Sequence, residues 1–375
     1  MAKCLSQHSS DKTADCPEES DNHPKANGVR EFSKRNGSGD SNSDAEAGKA
    51  NTQANIGVEA EVKAIVKVIE ERSLLHALEK TNVTISSAIY RDIPPVYDDL
   101  IKVTMNTKQS CRDASGYHAI IAVHSAPKNF QNRATFRWLY GDFAKTNPYR
   151  FKLIFFIGLV TNATLQDRLK NESLQYDDIV QGNYIDAYIN MTYKAIMVFD
   201  YLDNYCKGLH AFFRVDDDVF MNIGQVFTRW SYVQRSRRGV KTIMCYRLGR
   251  DRVLRTGKWA VPRSLIPDDI FRFMRCPGFF AAFTVDLIHS INELAKKMPF
   301  FWIDDIVMLG LVPNAIEGLF FYPGNKWIAL PKDTSEFENC IQTRGSKCYL
   351  WIGITKIENF EKLYGYLSGS IPLVK

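Results

Sequence analysis

Four short apolar runs punctuate the middle of the chain: 118–124 (HAIIAVH), 151–159 (FKLIFFIGL), 211–215 (AFFRV) and 278–284 (GFFAAFT). Each has strand length and ends at polar residues or glycine, so each reads as a buried strand. Between them the apolar spacing becomes helical, over 133–142, 165–171 and 184–206, the last through Tyr188, Met191, Ala195, Val198, Phe199 and Leu202. Strand, helix, strand, helix, strand is the pattern of an α/β domain with a mostly parallel central sheet flanked by helices. Further helices are expected over 224–234, 286–297 and 306–312, with Pro313 ending the last, and 320–327 reads as a turn-rich aromatic stretch. The domain is expected to span 111–330. Before it lie a polar tail (1–57), too poor in apolar residues to order itself, and a stem-like segment (58–110). The segment comprises an amphipathic helix over 58–80 and an extended connector containing Pro94 and Pro95. Residues 331–375 read as a C-terminal extension.

The third apolar run meets three acids, Asp216, Asp217 and Asp218. In extended backbone Asp216 and Asp218 point to one side and Asp217 to the other. Adjacent carboxylates repel unless a cation sits between them. A hard divalent ion such as Mn²⁺ or Mg²⁺ suits oxygen ligands and completes its sphere with water or phosphate. Ligands of open α/β sheets gather outside the carboxyl ends of the strands. The reading is a metal-assisted nucleotide-sugar site. An exposed turn or a cap before the next helix, with Asn222 as N-cap, uses the same residues. Phe212, Phe213, Val219 and Phe220 favour the rim of a core.

A basic stretch follows, from Arg229 through Arg247 and Arg255 to Lys258. It is either a face for a phosphate-bearing donor or acidic acceptor, or a solvated loop. Its sparse aromatic interleaving disfavours single-stranded nucleic acid. A net charge of +6 over 375 residues requires no nucleic-acid partner. The lack of a G-x-x-x-x-G-K-[ST] loop disfavours a metal-dependent phosphotransferase. There are eight cysteines and no C-x-x-C pair, which argues against zinc. Cys340 and Cys348 close a short loop, as a disulfide in a secretory compartment would; free thiols in a cytosol fit that spacing equally well. N-x-[ST] sequons at Asn36, Asn82, Asn162, Asn171 and Asn190 point weakly to a lumenal protein. No signal peptide is visible and no apolar stretch approaches the roughly 20 residues of a membrane span, so the chain reads as soluble.

In order and spacing, residues 117–327 resemble the inverting β-1,3-glycosyltransferases, the galactosyltransferase and N-acetylglucosaminyltransferase family with a GT-A fold. Arg133, Phe136, Arg137 and Gly141 match R-x-x-I-R-x-T-W-G, with Leu139 and Tyr140 replacing Thr-Trp. Phe155 and Gly158 match F-x-x-G. Asp178, Ile179, Asp186, Tyr188, Asn190, Thr192 and Lys194 match the next motif, with Asn183 where an aspartate is usual. The three acids match K-x-D-D-D-x-F, with Arg214 as the basic residue; Lys258 and Trp259 match K-W/Y; Asp304, Asp305 and Ile306 match E-D-V. The second glycine of G-x-G-Y has become Phe280, which would change the acceptor pocket.

The resemblance implies transfer of a hexose or N-acetylhexosamine from a UDP-sugar to a glycan acceptor on glycoprotein or glycolipid, in β-1,3 linkage with inversion. It implies Asp218, with Asp216, as ligands of Mn²⁺ or Mg²⁺. Asp216 and Asp217 would hold the ribose and the metal's water shell. Arg133, Arg137, Lys258 and Trp259 would hold the nucleotide. Asp305 would be the general base, an acid among Trp302, Ile303 and Ile306 whose pKa can rise toward working pH. A Golgi lumen and a membrane anchor are implied by resemblance only. Other readings are surface ion pairs for the arginines, helix capping for Asp304 and Asp305, and for the whole chain an inactive glycan-binding or scaffold protein. Donor sugar, acceptor and oligomeric state are not legible.

Overall fold

The computed structural model describes residues 101–374, apart from 107–110, 112–113, 262, 264–265, 267 and 297–299. The expected tail, the 58–80 helix, Cys4 and Cys16 lie outside the described residues. In chain order the elements begin with β1 (Val103–Met105), β2 (Ala119–His124), α1 (Phe130–Tyr140), β3 (Phe151–Leu159), α2 (Ala163–Tyr176) and β4 (Ile179–Ile185). Next come α3 (Met191–Tyr205), β5 (Phe212–Asp216), β6 (Val219–Met221), α4 (Ile223–Ser236), β7 (Thr242–Cys245), β8 (Phe280–Phe283) and α5 (Leu287–Ala295). The last are α6 (Asp304–Ile306), β9 (Phe320–Pro323), α7 (Thr334–Arg344), β10 (Ile352–Ile354) and α8 (Phe360–Ser368).

The main sheet has eight strands in the order β1-β4-β3-β2-β5-β8-β7-β9. Strands β2 to β5 are mutually parallel. Strand β8 is antiparallel to both β5 and β7, and β9 is parallel to β7. Hence β7 and β9 run with β5, and only β1 and β8 oppose the rest. The mostly parallel α/β architecture is the one expected, and six strands end at one common edge.

Side-chain alternation splits the interior into two cores. Ile120, Ala122, Phe156, Phe212 and Phe283 pack on one face with Val198, Phe199 and Leu202 of α3 and Leu287 and Ile291 of α5. Ile121, Val123, Phe155, Phe213 and Val215 pack on the other with Phe136 of α1, Trp230 of α4, Phe337 of α7 and Phe360 of α8. A strand covered on both faces has no solvent side, which is why these segments are continuous apolar runs.

Four expectations change. The 184–206 run is not one helix: Tyr184 belongs to β4, and α3 starts at Met191. Pairing with β3 and β1 makes this segment a strand. The connector before 111 contains strand β1. Residues 320–323 form β9, the sheet edge, where Pro323 is tolerated because no neighbour needs its N–H. Pro313 does not end its helix: a π-turn over Val307–Leu311 makes Val312–Asn314 a fresh helical turn, so the proline falls in a first turn.

The C-terminal segment is part of the core. Strand β10 pairs antiparallel with β6, and Phe360 packs against Phe136 at 5.9 Å and Phe220 at 5.2 Å. Six cysteines are described and all pair, Cys111–Cys206, Cys245–Cys276 and Cys340–Cys348, the last a spacing that fitted a disulfide and free thiols equally. Among the described residues no helix is long and apolar enough to cross a membrane.

Candidate active site

Strand β5 stops at Asp216, and Asp217 and Asp218 turn the chain into β6. The extended alternation expected of the three acids therefore reaches only to Asp216. The N–H of Asp216 donates to Phe279 O (3.0 Å), that of Asp217 to His124 O (3.2 Å), and that of Thr355 to Asp218 O (3.0 Å). His124 of β2, Phe279 just before β8 and Thr355 just past β10 thus fix the turn from three sides. The Asp217 carboxylate accepts from Ser125 Oγ (2.6 Å), Asn129 Nδ2 (3.1 and 3.2 Å) and Asn132 Nδ2 (3.3 Å). It ties the turn to α1 and is not turned to a ribose.

Asp216 and Asp218 are different: one buried carboxylate oxygen of each has no hydrogen-bond partner among the described residues. Burial pushes Asp216 up to about 8, opposed by Arg214 and reinforced by Asp218 and Asp304. Burial, reinforced by Asp217, pushes Asp218 up to about 6. No group of three or more metal-type side chains forms among the described residues. Two carboxylate oxygens without a partner among the described residues are the donor type that a hard cation takes.

The buried Arg214 links these acids to the next pair. It donates to Asp304, lies 3.8 Å from Asp216 Oδ1, and packs on the His124 ring nitrogens at 3.2 and 3.4 Å. Gly278 is the crossing point: a Cβ there would stand 3.2 Å from Arg214 Nη1 and 3.6 Å from Asp305 Cβ. Asp305 Oδ2 accepts from Arg275 Nη1 (3.2 Å), while Asp305 Oδ1 has no partner among the described residues. Arg275 also donates to Asp251. Burial pushes Asp305 up to about 6 against the pull of Arg275.

Tyr188 stands within the field of Asp304, Asp305 and Asp216, and burial pushes it up to about 12. It is hydrogen-bonded to Trp259, and Lys258 Nζ lies 4.0 Å above its ring. Lys258 and Trp259 therefore reach the same cleft as the acids.

Arg133 and Arg137 do not face it, which corrects the expectation of nucleotide contact. Arg133 is fully buried. It holds Glu172 (2.7–3.1 Å), Ser125 Oγ (3.1 Å), Ala126 O (2.8 Å) and Pro127 O (3.1 Å). Arg137 grips Asp178 at 2.7 and 2.8 Å and Glu172 at 2.8 Å. Their donors are taken by acids from α2 and its exit. The pair forms a buried frame behind Ser125 and Asp217, not a surface ion pair.

Phe280 is also corrected. It is fully buried in the second core, 6.0 Å from Phe213, and is no wall of the cleft. Leu139 and Tyr140 are core as well; Tyr140 Oη accepts from Met221 N–H (2.7 Å). Asn190 is buried and its Nδ2 donates to Ile185 O (2.8 Å), so that sequon offers no attachment atom. Sequence reasoning missed Arg275 and Asp251, because nothing local separates Arg275 from the other arginines around it. The one available signal was its place beside Cys276.

Residues 131–317 match the family model described as Galactosyltransferase. Human beta-1,3-galactosyltransferase 2 is 24% identical over 208 residues, 55% of this chain and 49% of its own. Mouse acetylgalactosaminyl-O-glycosyl-glycoprotein beta-1,3-N-acetylglucosaminyltransferase is 24% identical over 222 residues, 56% of each chain. The chain spans about half the length of the curated relatives it matches. The solved structure of galactosyltransferase LgtC with donor and acceptor sugar analogues aligns with 68% of this chain and 97% of its own, at 9% identity and a TM-score of 0.36.

Proposed function

With residues 131–317 forming a domain of the galactosyltransferase family, we propose that the protein transfers a hexose or N-acetylhexosamine from a UDP-sugar to a glycan hydroxyl, in β-1,3 linkage with inversion. The observation that carries this is the meeting, around Arg214 and Gly278, of two acid groups with unpartnered oxygens. Asp216 and Asp218 sit at the strand exit and Asp305 at the start of α6.

The chemistry needs two things. The acceptor hydroxyl must lose its proton as it attacks the anomeric carbon, and the departing diphosphate must be neutralised. Asp305 Oδ1 takes the proton, while Arg275 on the other oxygen keeps the carboxylate ionised and aimed. The new C–O bond forms as the bond to the diphosphate breaks, and UDP leaves with the electron pair. One such in-line step inverts the anomeric centre. Asp216 and Asp218 would hold Mn²⁺ or Mg²⁺, which supplies Lewis-acid neutralisation of the leaving phosphate. Lys258 and Trp259, joined to Tyr188, would hold the nucleotide. Phe280, Leu139 and Tyr140, the departures from the family pattern that bear on an inactive scaffold, are core positions and do not line the cleft.

We place the protein in the Golgi lumen. The support is the pairing of all six described cysteines, which belongs to an oxidising compartment.

The test is a screen of UDP-Gal, UDP-GlcNAc, UDP-GalNAc and UDP-Glc with Mn²⁺ and glycan acceptors, followed by Asp305→Asn. Transfer should fall by roughly 10²–10⁴-fold while UDP binding is retained. Loss of UDP affinity in a folded Asp305→Asn protein would remove Asp305 from the role of base.

A further inference from the structure

The reaction above leaves unused a cavity of about 570 Å³ that none of the cleft acids lines. Its walls include Tyr246, Lys326, Trp327, Asp333, Glu336 and Tyr349. Tyr246 follows the last residue of β7, and Trp327 lies just past the end of β9. Both strands run with β5, so the cavity sits on the same edge of the sheet as Asp216. It is two to three interstrand spacings away, about 10–14 Å.

It is also joined to the base side of the cleft. The segment leaving Tyr246 forms a two-way bridge between Leu248 and Arg275 (2.8 and 3.0 Å). It then supplies Asp251, the second partner of Arg275. Arg275 is the residue that holds Asp305. The five residue steps from Tyr246 to Asp251 cover at most about 18 Å of chain.

The walls suit a sugar. Trp327 is locked in a stack, 5.2 Å from Trp351 and 6.2 Å from Tyr322, and is rigid at its edge. Tyr349 is 45% exposed; Arg344 lies 5.5 Å over one side of its ring, which leaves the other face to the groove. Its hydroxyl is fixed by a 2.6 Å bond to Glu336. Asp333 stands at the N-cap of α7 yet makes no capping bond, so its carboxylate can accept hydroxyls. An aromatic face beside carboxylates matches the apolar face and hydroxyl rim of a saccharide. The lining carries two acids and one lysine, and Arg229 and Arg344 lie over the Trp327 and Tyr349 rings, so the walls are mixed in charge and make no demand for an anionic glycan.

We propose that this groove is a remote saccharide subsite, which holds inner sugars of a neutral oligosaccharide acceptor while its terminal hydroxyl lies at Asp305. The assignment to the acceptor rests on the transferase reading; binding in the groove does not need turnover.

The experiment is calorimetric titration of the full chain with a neutral tetrasaccharide of alternating β-linked galactose and N-acetylglucosamine, with the corresponding disaccharide, and with UDP. The tetrasaccharide should bind at least about tenfold more tightly than the disaccharide. Tyr349→Ala and Asp333→Asn should each reduce that advantage without altering UDP affinity; two exposed-side variants guard against misfolding of either. The subsite is refuted if chain length does not change affinity, or if the advantage persists in both variants. Tetrasaccharide binding by a protein that transfers no sugar would support the groove and sink the transferase reading. Transfer without a chain-length effect would sink the groove alone.

Discussion

Asp305 and Arg275 set the pH response of the cleft. The proposed base works only when ionised, and burial pushes Asp305 up to about 6. The acid limb of kcat/KM is therefore expected near pH 6, with activity lost as pH falls through it. Arg275 pulls that value down, so Arg275→Gln should move the limb upward and lower kcat. A pH–rate profile of the two proteins checks this, and an unmoved limb would count against Asp305 as base. Asp218 invites a different test. If its orphaned oxygen meets a cation, Asp218→Asn should abolish the Mn²⁺ dependence of UDP affinity, measured by titration with and without the ion. Arg133 shows how little residue type says about role. Full burial and a full set of acceptors make it framework, although its spacing suits a phosphate clamp equally well.

At the level of elements, the turn carrying the acids depends on strands distant in sequence. Strand β10 holds the acid turn through Thr355 and pairs with all of β6. Helices α7 and α8 close the core beneath it. Phe360 lies fully buried between Phe136 and Phe220. Phe360→Ala should cost about 3–5 kcal/mol, read by denaturant unfolding. A loss below about 1 kcal/mol would mean that the C-terminal segment is peripheral. Long apolar runs were legible as strands because both of their faces are covered. Strands β4, β7 and β9 were not, since long-range pairing, not their own pattern, makes them extended.

Over the whole molecule, the acid cluster makes stability depend on pH with an unusual sign. Burial raises Asp216 to about 8 and both Asp218 and Asp305 to about 6, against about 3.9 for a free aspartate. The folded chain therefore binds these protons more tightly than the unfolded one, and their contribution is present at low pH and lost as pH rises from about 4 to 8. A divalent cation favours the ionised acids, so Mn²⁺ should raise Tm more at pH 8 than at pH 5. Equal shifts at both pH values, by calorimetry, would contradict this. The sequence by itself determined the α/β class, the strand exit that carries three acids and the position of Asp305, because each is encoded by a local run of residue types. Tertiary structure alone decided which arginines face the cleft, that Phe280 is core and that Asp217 is framework. Those outcomes depend on which distant chain segments approach one another, and no local pattern specifies that.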